Sequence, residues 1–380
     1  MGAIRFKKPT FPVSRALRNY LIATHREMDV PITYQDLSHY TSSMTLYDKR
    51  GNDTLWETII YAESDRQFIH EALRKVYAQL KVGGDTSIIE HLYIDRVDYC
   101  LYANTHPFRI RVVNRLNDLF DYFYVKRADA SRVYGMELEH LLSPNKINYL
   151  TKGDTFIEEH IQGIPGDTFI SKYLHKCDCD PEHACSNAKE CFVPILMDMR
   201  TGMTNYNPLR IAKEFVKFNE RSLVQLLGDM RRDNFVVEII PDFDEMHFRL
   251  RAIDFDQECY EGSHTIYMPQ FFKENNPIIN LGLQNMSPIL ELQYQKEERN
   301  RLSSRVKASG TQLTTLLDAM VQDELSTSER IHQLRQELSD LYEDEAFLSC
   351  QTMGEIVRTS LQMLEKYPVR KRIKVKPAVG

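Results

Sequence analysis

Glycine is sparse in this chain and tryptophan almost absent: there are 15 glycines and 1 tryptophan among 380 residues. That scarcity excludes collagen-like and glycine-rich low-complexity architectures. No run of apolar residues approaches the roughly 20 needed to cross a bilayer, and no internal repeat marks a solenoid or propeller. The first residues, Met1-Gly2-Ala3-Ile4-Arg5-Phe6, lack the apolar segment of a secretory signal. Phe6 also stands where a myristoylation motif wants Ser or Thr. A cytoplasmic protein without membrane association is therefore expected, with its 7 cysteines reduced unless they bind metal. Positive charge is not in excess either. The formal net charge of −6 gives no reason to expect nucleic acid as a partner. The one basic run, Arg370-Lys371-Arg372-Ile373-Lys374-Val375-Lys376, reads as a solvated terminus.

What is present is a globular composition, 42% hydrophobic and 27% charged, long enough for one large domain or two. Residues 1–87 read as a helical N-terminal extension. Ala16, Leu17, Tyr20, Leu21 and Thr24 share one helical face. A second helix, capped by Asp65, carries Phe68, Ile69, Leu73, Val76, Tyr77 and Leu80 until Gly83-Gly84 stops it. Residues 88–162 change to strands at His91–Tyr102, Phe108–Val113 and Phe120–Val125. A helix near Ser131–Leu142 and two more strands at Ile147–Leu150 and Thr155–Ile161 follow. Gly163-Ile164-Pro165-Gly166 punctuates the chain, and residues 163–368 are mostly helical. Within them Leu209–Leu227 reads as a helix, and Phe235–Ile240 with His247–Ile253 as a hairpin. A capping box, Ser326 with Glu329, opens a late helix, and residues 369–380 form the basic tail.

Two groups of residues carry chemistry. The first is an ordered set of polar side chains. Lys126 ends a strand, Glu137 lies on the helix that follows, and Asp229 and Asn234 share a loop. Asp254 closes an apolar strand and opens Asp254-Phe255-Asp256. A cation for phosphates, a carboxylate to aim it, a base and oxygen ligands for a hard metal are what phosphoryl transfer requires. Glu139 is the other candidate partner for Lys126; sequence distance favours Glu137. The second group is Cys177, Cys179, Cys185 and Cys191, in a polar insertion at 175–192. Four thiolates suit a tetrahedral structural Zn²⁺, with reduced loop thiols as the alternative. His175 and His183 are spare ligands. Cys100, Cys259 and Cys350 are scattered and read as buried.

Over residues 88–300 the first set resembles the protein-kinase-like superfamily, in its atypical branch of aminoglycoside phosphotransferases and choline kinases. The resemblance implies an α+β, two-lobed fold with a β-rich small lobe and a helical large lobe. It implies ATP and Mg²⁺ as cofactors and a hydroxyl on a small molecule or protein as acceptor. Lys126 and Glu137 would serve the nucleotide, Asp229 would be the catalytic base, and Asn234, Asp254 and Asp256 would hold Mg²⁺. Three departures accompany it: Leu227 where kinases often place histidine, no glycine after Asp254-Phe255, and no glycine in Asn104–Pro107. The alternatives are a pseudokinase-type scaffold using the extension and the cysteine loop, and an AMP transferase on the same fold.

Overall fold

The computed structural model describes residues 8–103, 105–174, 207–241 and 246–366. The cysteines at 177, 179, 185 and 191, the histidines at 175 and 183, and the basic tail lie outside them. The architecture is α+β. The chain divides into two compact units, Met1–Val133 with Lys146–His160, and Tyr134–Asn145 with Ile161–Gly380.

The first unit begins with α1 (Arg15–Ala23), whose N-terminus is capped by the Ser14 side chain, and one turn, α2 (Tyr34–Leu37). A hairpin, β1 (Ser42–Tyr47) and β2 (Asp53–Ile60), leads to α3 (Glu63–Val82). Then come β3 (Leu92–Cys100), β4 (Phe108–Asn114), β5 (Phe120–Arg127) and α4 (Ala130–Leu142), with the unit boundary falling inside α4. The strands β6 (Tyr149–Lys152) and β7 (Thr155–Glu159) complete one antiparallel sheet, in the order β1-β2-β3-β4-β5-β7-β6.

Strand period fixes what this sheet buries. On β5, Phe123 and Val125 turn into a core shared with Ile110 and Val112 of β4 and Ile69, Leu73, Val76 and Leu80 of α3. Each such side chain contributes roughly 1.5–3 kcal/mol on burial. Tyr124 and Lys126 occupy the opposite face.

Two expectations about the extension need correction. Residues 1–87 are not purely helical, because β1 and β2 lie within them and supply two strands of the sheet. Their signal is weak because β1 is an edge strand with no buried residue. What defines the pair is its ladder, Ser42↔Ile60 to Thr45↔Glu57, and a turn in which the Asp48 carboxylate accepts from Arg50 N and Asn52 N. In addition, α3 starts at Glu63 behind Ala62, with Asp65 in its first turn and not at its cap.

The second unit is mostly helical. It holds a three-stranded sheet in the order β10-β9-β8, from β8 (Ile164–Pro165), β9 (Phe235–Pro241) and β10 (Met246–Ala252). Its helices are α5 (Gly166–Tyr173), α6 (Pro208–Gln225), α7 (Asn276–Asn285), α8 (Pro288–Gln322), α9 (Ser328–Tyr342) and α10 (Met353–Gln362). Helix α8 kinks at Gly310, where φ is +43°. The cap of α9 is Thr327, one residue past the expected Ser326, whose hydroxyl donates to Tyr260 O instead.

Helix α6 is buried on polar as well as apolar positions. Arg221 donates to Glu298 at 2.9 Å and lies 3.5 Å from Glu139 of α4. Arg299 donates to Glu220 at 2.7 Å and to Met363 O at 3.1 Å. Charges this deep are tolerated because each has a partner. Cys100, Cys259 and Cys350 are buried free thiols, as their scatter suggests. Among the described residues no helix is long and apolar enough to cross a membrane.

Candidate functional site

In the first unit the site is built on the end of β5. Lys126 is nearly buried and pairs with Glu158 of the adjacent strand β7. The register Lys126↔Phe156 and Tyr124↔Glu158 brings that carboxylate alongside. Arg132, in the first turn of α4, approaches the other oxygen of Glu158 at 3.8 Å. Just ahead, the Asp129 carboxylate accepts from Ser131 N at 2.9 Å, Phe11 N at 3.2 Å and Lys8 Nζ at 3.1 Å. These bonds pin the start of α4 four residues beyond Lys126.

Lys126 thus has a carboxylate partner, Glu158, that sequence reasoning missed. Glu137 is fully buried and belongs to the second unit. Glu139, also buried, accepts from Asn145 Nδ2 at 2.8 Å and neighbours Arg221, so it serves the second unit's own polar core.

In the second unit the loop after α6 carries Asp229 and Asn234. Leu226 ends α6 in a left-handed conformation, and Asp229 repeats it with φ +59°. Aspartate tolerates that region better than most residues. A Cβ on Gly228 would lie 2.5 Å from Gln257 O, so only glycine lets the loop pass there. Asp229 N donates to Ile266 O at 3.0 Å. Arg231 holds the carboxylate, with Nε and Nη2 at 2.8 and 2.7 Å from Oδ1.

Asn234 Nδ2 donates to Asp229 O at 2.8 Å, which closes the loop and leaves Oδ1 as the acceptor atom of that amide. The β9–β10 ladder places Ala252 opposite Phe235, and Ile253 N donates to Asn234 O at 3.0 Å. Asn234 and Asp254 are thereby neighbours through a hairpin. Asp254 Oδ1 accepts from Asp256 N at 3.0 Å, and Phe255 is buried.

Burial pushes the Asp229 carboxyl above its ordinary value, and the Arg231 guanidinium pulls against it. A carboxylate of raised basicity, held by the Arg231 guanidinium and with the Asn234 amide nitrogen 3.4 Å from its Oδ2, can accept a proton. Among the described residues no three His, Cys, Asp or Glu side chains group to hold a metal by themselves. Asn234 and Asp254 fit an ion that takes few protein oxygens and completes its shell with phosphate and water, as Mg²⁺ does.

The structure thus gathers Asp229, Asn234, Asp254 and Asp256 in one unit and sets Lys126 in the other. Glu158 and Arg132 were missed. A strand-end glutamate and a helical arginine are common features, and only strand register makes these two neighbours of Lys126. Neither a protein-family model nor a curated protein matches this chain.

Proposed function

We propose that the chain is a kinase-like, ATP- and Mg²⁺-dependent phosphotransferase acting on a hydroxyl of a small molecule or protein. In this reading the sheet-rich unit is the small lobe and the helical unit the large lobe. The observation that carries it is the closed loop Asp229–Asn234 joined to Asp254 by the β9–β10 hairpin: Asn234 donates to Asp229 O and accepts from Ile253 N. In this reading those bonds keep the base and the two oxygen ligands, one of them twenty residues further along the chain, close to one another.

The residues divide the work as follows. Asp229 accepts the proton of the acceptor hydroxyl, and burial has already raised its basicity for that task. Arg231 keeps its carboxylate oriented. Asn234 and Asp254, supported by Asp256, would hold Mg²⁺, and Lys126 would bind the phosphates, with Glu137 an assisting carboxylate. ATP would supply the phosphoryl group, and the metal would neutralise charge on its oxygens. The cysteines at 177, 179, 185 and 191 would form a structural Zn²⁺ site, read from sequence alone.

The deciding experiment is thermal stabilisation by ATP, with and without Mg²⁺, on wild type and Asp254→Ala. A Mg²⁺-dependent shift that is lost in the variant supports the reading; no shift in wild type overturns it. A second reading draws on the Arg231–Asp229 pair, which engages the base: Mg²⁺-dependent ATP binding with no phosphate release would assign a pseudokinase role. Label arriving from the α-phosphate and not the γ-phosphate would instead assign AMP transfer.

A further inference from the structure

A triphosphate carries more negative charge than one lysine balances, and kinases of this general type commonly add backbone donors from a glycine-rich loop. The β3–β4 connection, residues 101–107, contains no glycine. The same connection is, however, reached by a buried cation. Arg132 Nη2 donates to Thr105 Oγ1 at 3.4 Å, and its Nη1 lies 3.8 Å from Glu158 Oε2. Lys126 pairs with Oε1 of that same glutamate. The guanidinium also lies 5.8 Å from the centre of the Phe156 ring, whose residue is the register partner of Lys126. The side chain of Arg132 is only 2% exposed and that of Glu158 10%. Two cations from different elements, a strand end and a helix start, thus converge on one carboxylate beside a loop that cannot cradle phosphate through glycine.

Resting on the phosphotransferase reading, we infer that Arg132 is a second phosphate-binding residue acting with Lys126, and that Glu158 is an internal counter-ion which both release in exchange for phosphate oxygens. The chemistry favours this division. A guanidinium presents a planar fork that matches two phosphate oxygens, whereas lysine offers a point charge. Without an anion the two buried cations would repel and lose hydration, so a carboxylate must sit between them. That carboxylate competes with the nucleotide. Displacing it favours ligands with at least two phosphates, which can engage both cations at once.

The two ways of reading Glu158 differ in sign. If it only aims Lys126, neutralising it weakens nucleotide binding; as a displaced counter-ion, neutralising it strengthens binding.

The test is calorimetric titration of the full chain with Mg-ATP, Mg-ADP, AMP and adenosine, on wild type, Arg132→Gln, Arg132→Lys and Glu158→Gln. Arg132→Gln is expected to weaken ATP and ADP by about tenfold or more, the size of a lost charge-assisted contact, while adenosine binds as in wild type and reports an intact fold. Arg132→Lys, which keeps the charge and loses the fork, falls between. Glu158→Gln tightens ATP. The inference is overturned if both Arg132 variants bind ATP like wild type, or if Glu158→Gln weakens it. Wild type that binds no nucleotide with Mg²⁺ would instead overturn the phosphotransferase reading itself.

Discussion

Asp229 shows how much a single residue here owes to its surroundings. Its backbone is left-handed, its amide is held by Ile266 O, and its carboxylate is held by Arg231. Asparagine is nearly isosteric and tolerates the same backbone region. Asp229→Asn should therefore lower ATP turnover, read as phosphate release, by about 10²–10⁴-fold, the usual contribution of a general base. The melting temperature should not fall, because the raised folded-state pKa means that the ionised carboxylate is disfavoured in its buried site at neutral pH. A drop in melting temperature would show that the carboxylate is structural. Arg231 pulls the Asp229 pKa down, so Arg231→Gln lets it rise further. As activity needs the ionised form, the acid limb of the pH–rate profile should move to higher pH in that variant. An unmoved limb would remove Asp229 from the base role.

Among the elements, α6 carries the clearest energetic consequence. A helix of a globular unit ordinarily buries one apolar stripe, but α6 also buries Lys217, Asn219, Glu220, Arg221, Ser222 and Gln225. Arg221 stands between Glu298 of α8 and Glu139 of α4, and it also donates to Leu250 O of β10 at 3.3 Å. Removing it takes the nearest cation from two buried carboxylates, a loss of about 3–5 kcal/mol. Arg221→Leu should lower the urea midpoint accordingly. A midpoint within error of wild type would mean that the two glutamates find other partners or protons.

The same helix was legible beforehand. It was expected at Leu209–Leu227, and it spans Pro208–Gln225. Strands β3, β4 and β5 were legible through alternation and turn-forming separators. The hairpin β1–β2 was not, since its exposed residues follow no apolar period and its identity rests on pairing. Likewise the loop spacing from Asp229 to Asn234 was visible in the chain, whereas the Arg231 ion pair, the Glu158 partner of Lys126 and the approach of Arg132 were not.

For the molecule as a whole, the buried acids of the second unit set how stability responds to pH. Glu258 is fully buried beside Cys259, and burial raises its carboxyl well above the ordinary glutamate value. The folded chain therefore keeps a proton there that the unfolded chain gives up first. Once pH exceeds the unfolded value, stability falls as pH rises toward the folded value. Glu258→Gln carries no such charge and should flatten this alkaline-side decline. Urea unfolding of wild type and variant at pH 5 and pH 8 measures it, and equal losses in both would sink the assignment. Asp229, raised in the same direction, contributes a decline of the same sign that remains in the variant.

The sequence by itself determined the local conformations: where helices start and stop, which strands alternate, and in what order the polar residues occur. Those properties arise from neighbours a few positions apart, through side-chain period, capping and turn chemistry. Only the tertiary structure decided which charge meets which. Lys126 met Glu158 because β5 and β7 are adjacent in the sheet. The Asn234 carbonyl met the Ile253 amide, next to Asp254, because a hairpin turned the chain back. An ion pair or a metal ligand depends on separation in space, which strand order and packing set and no local period encodes.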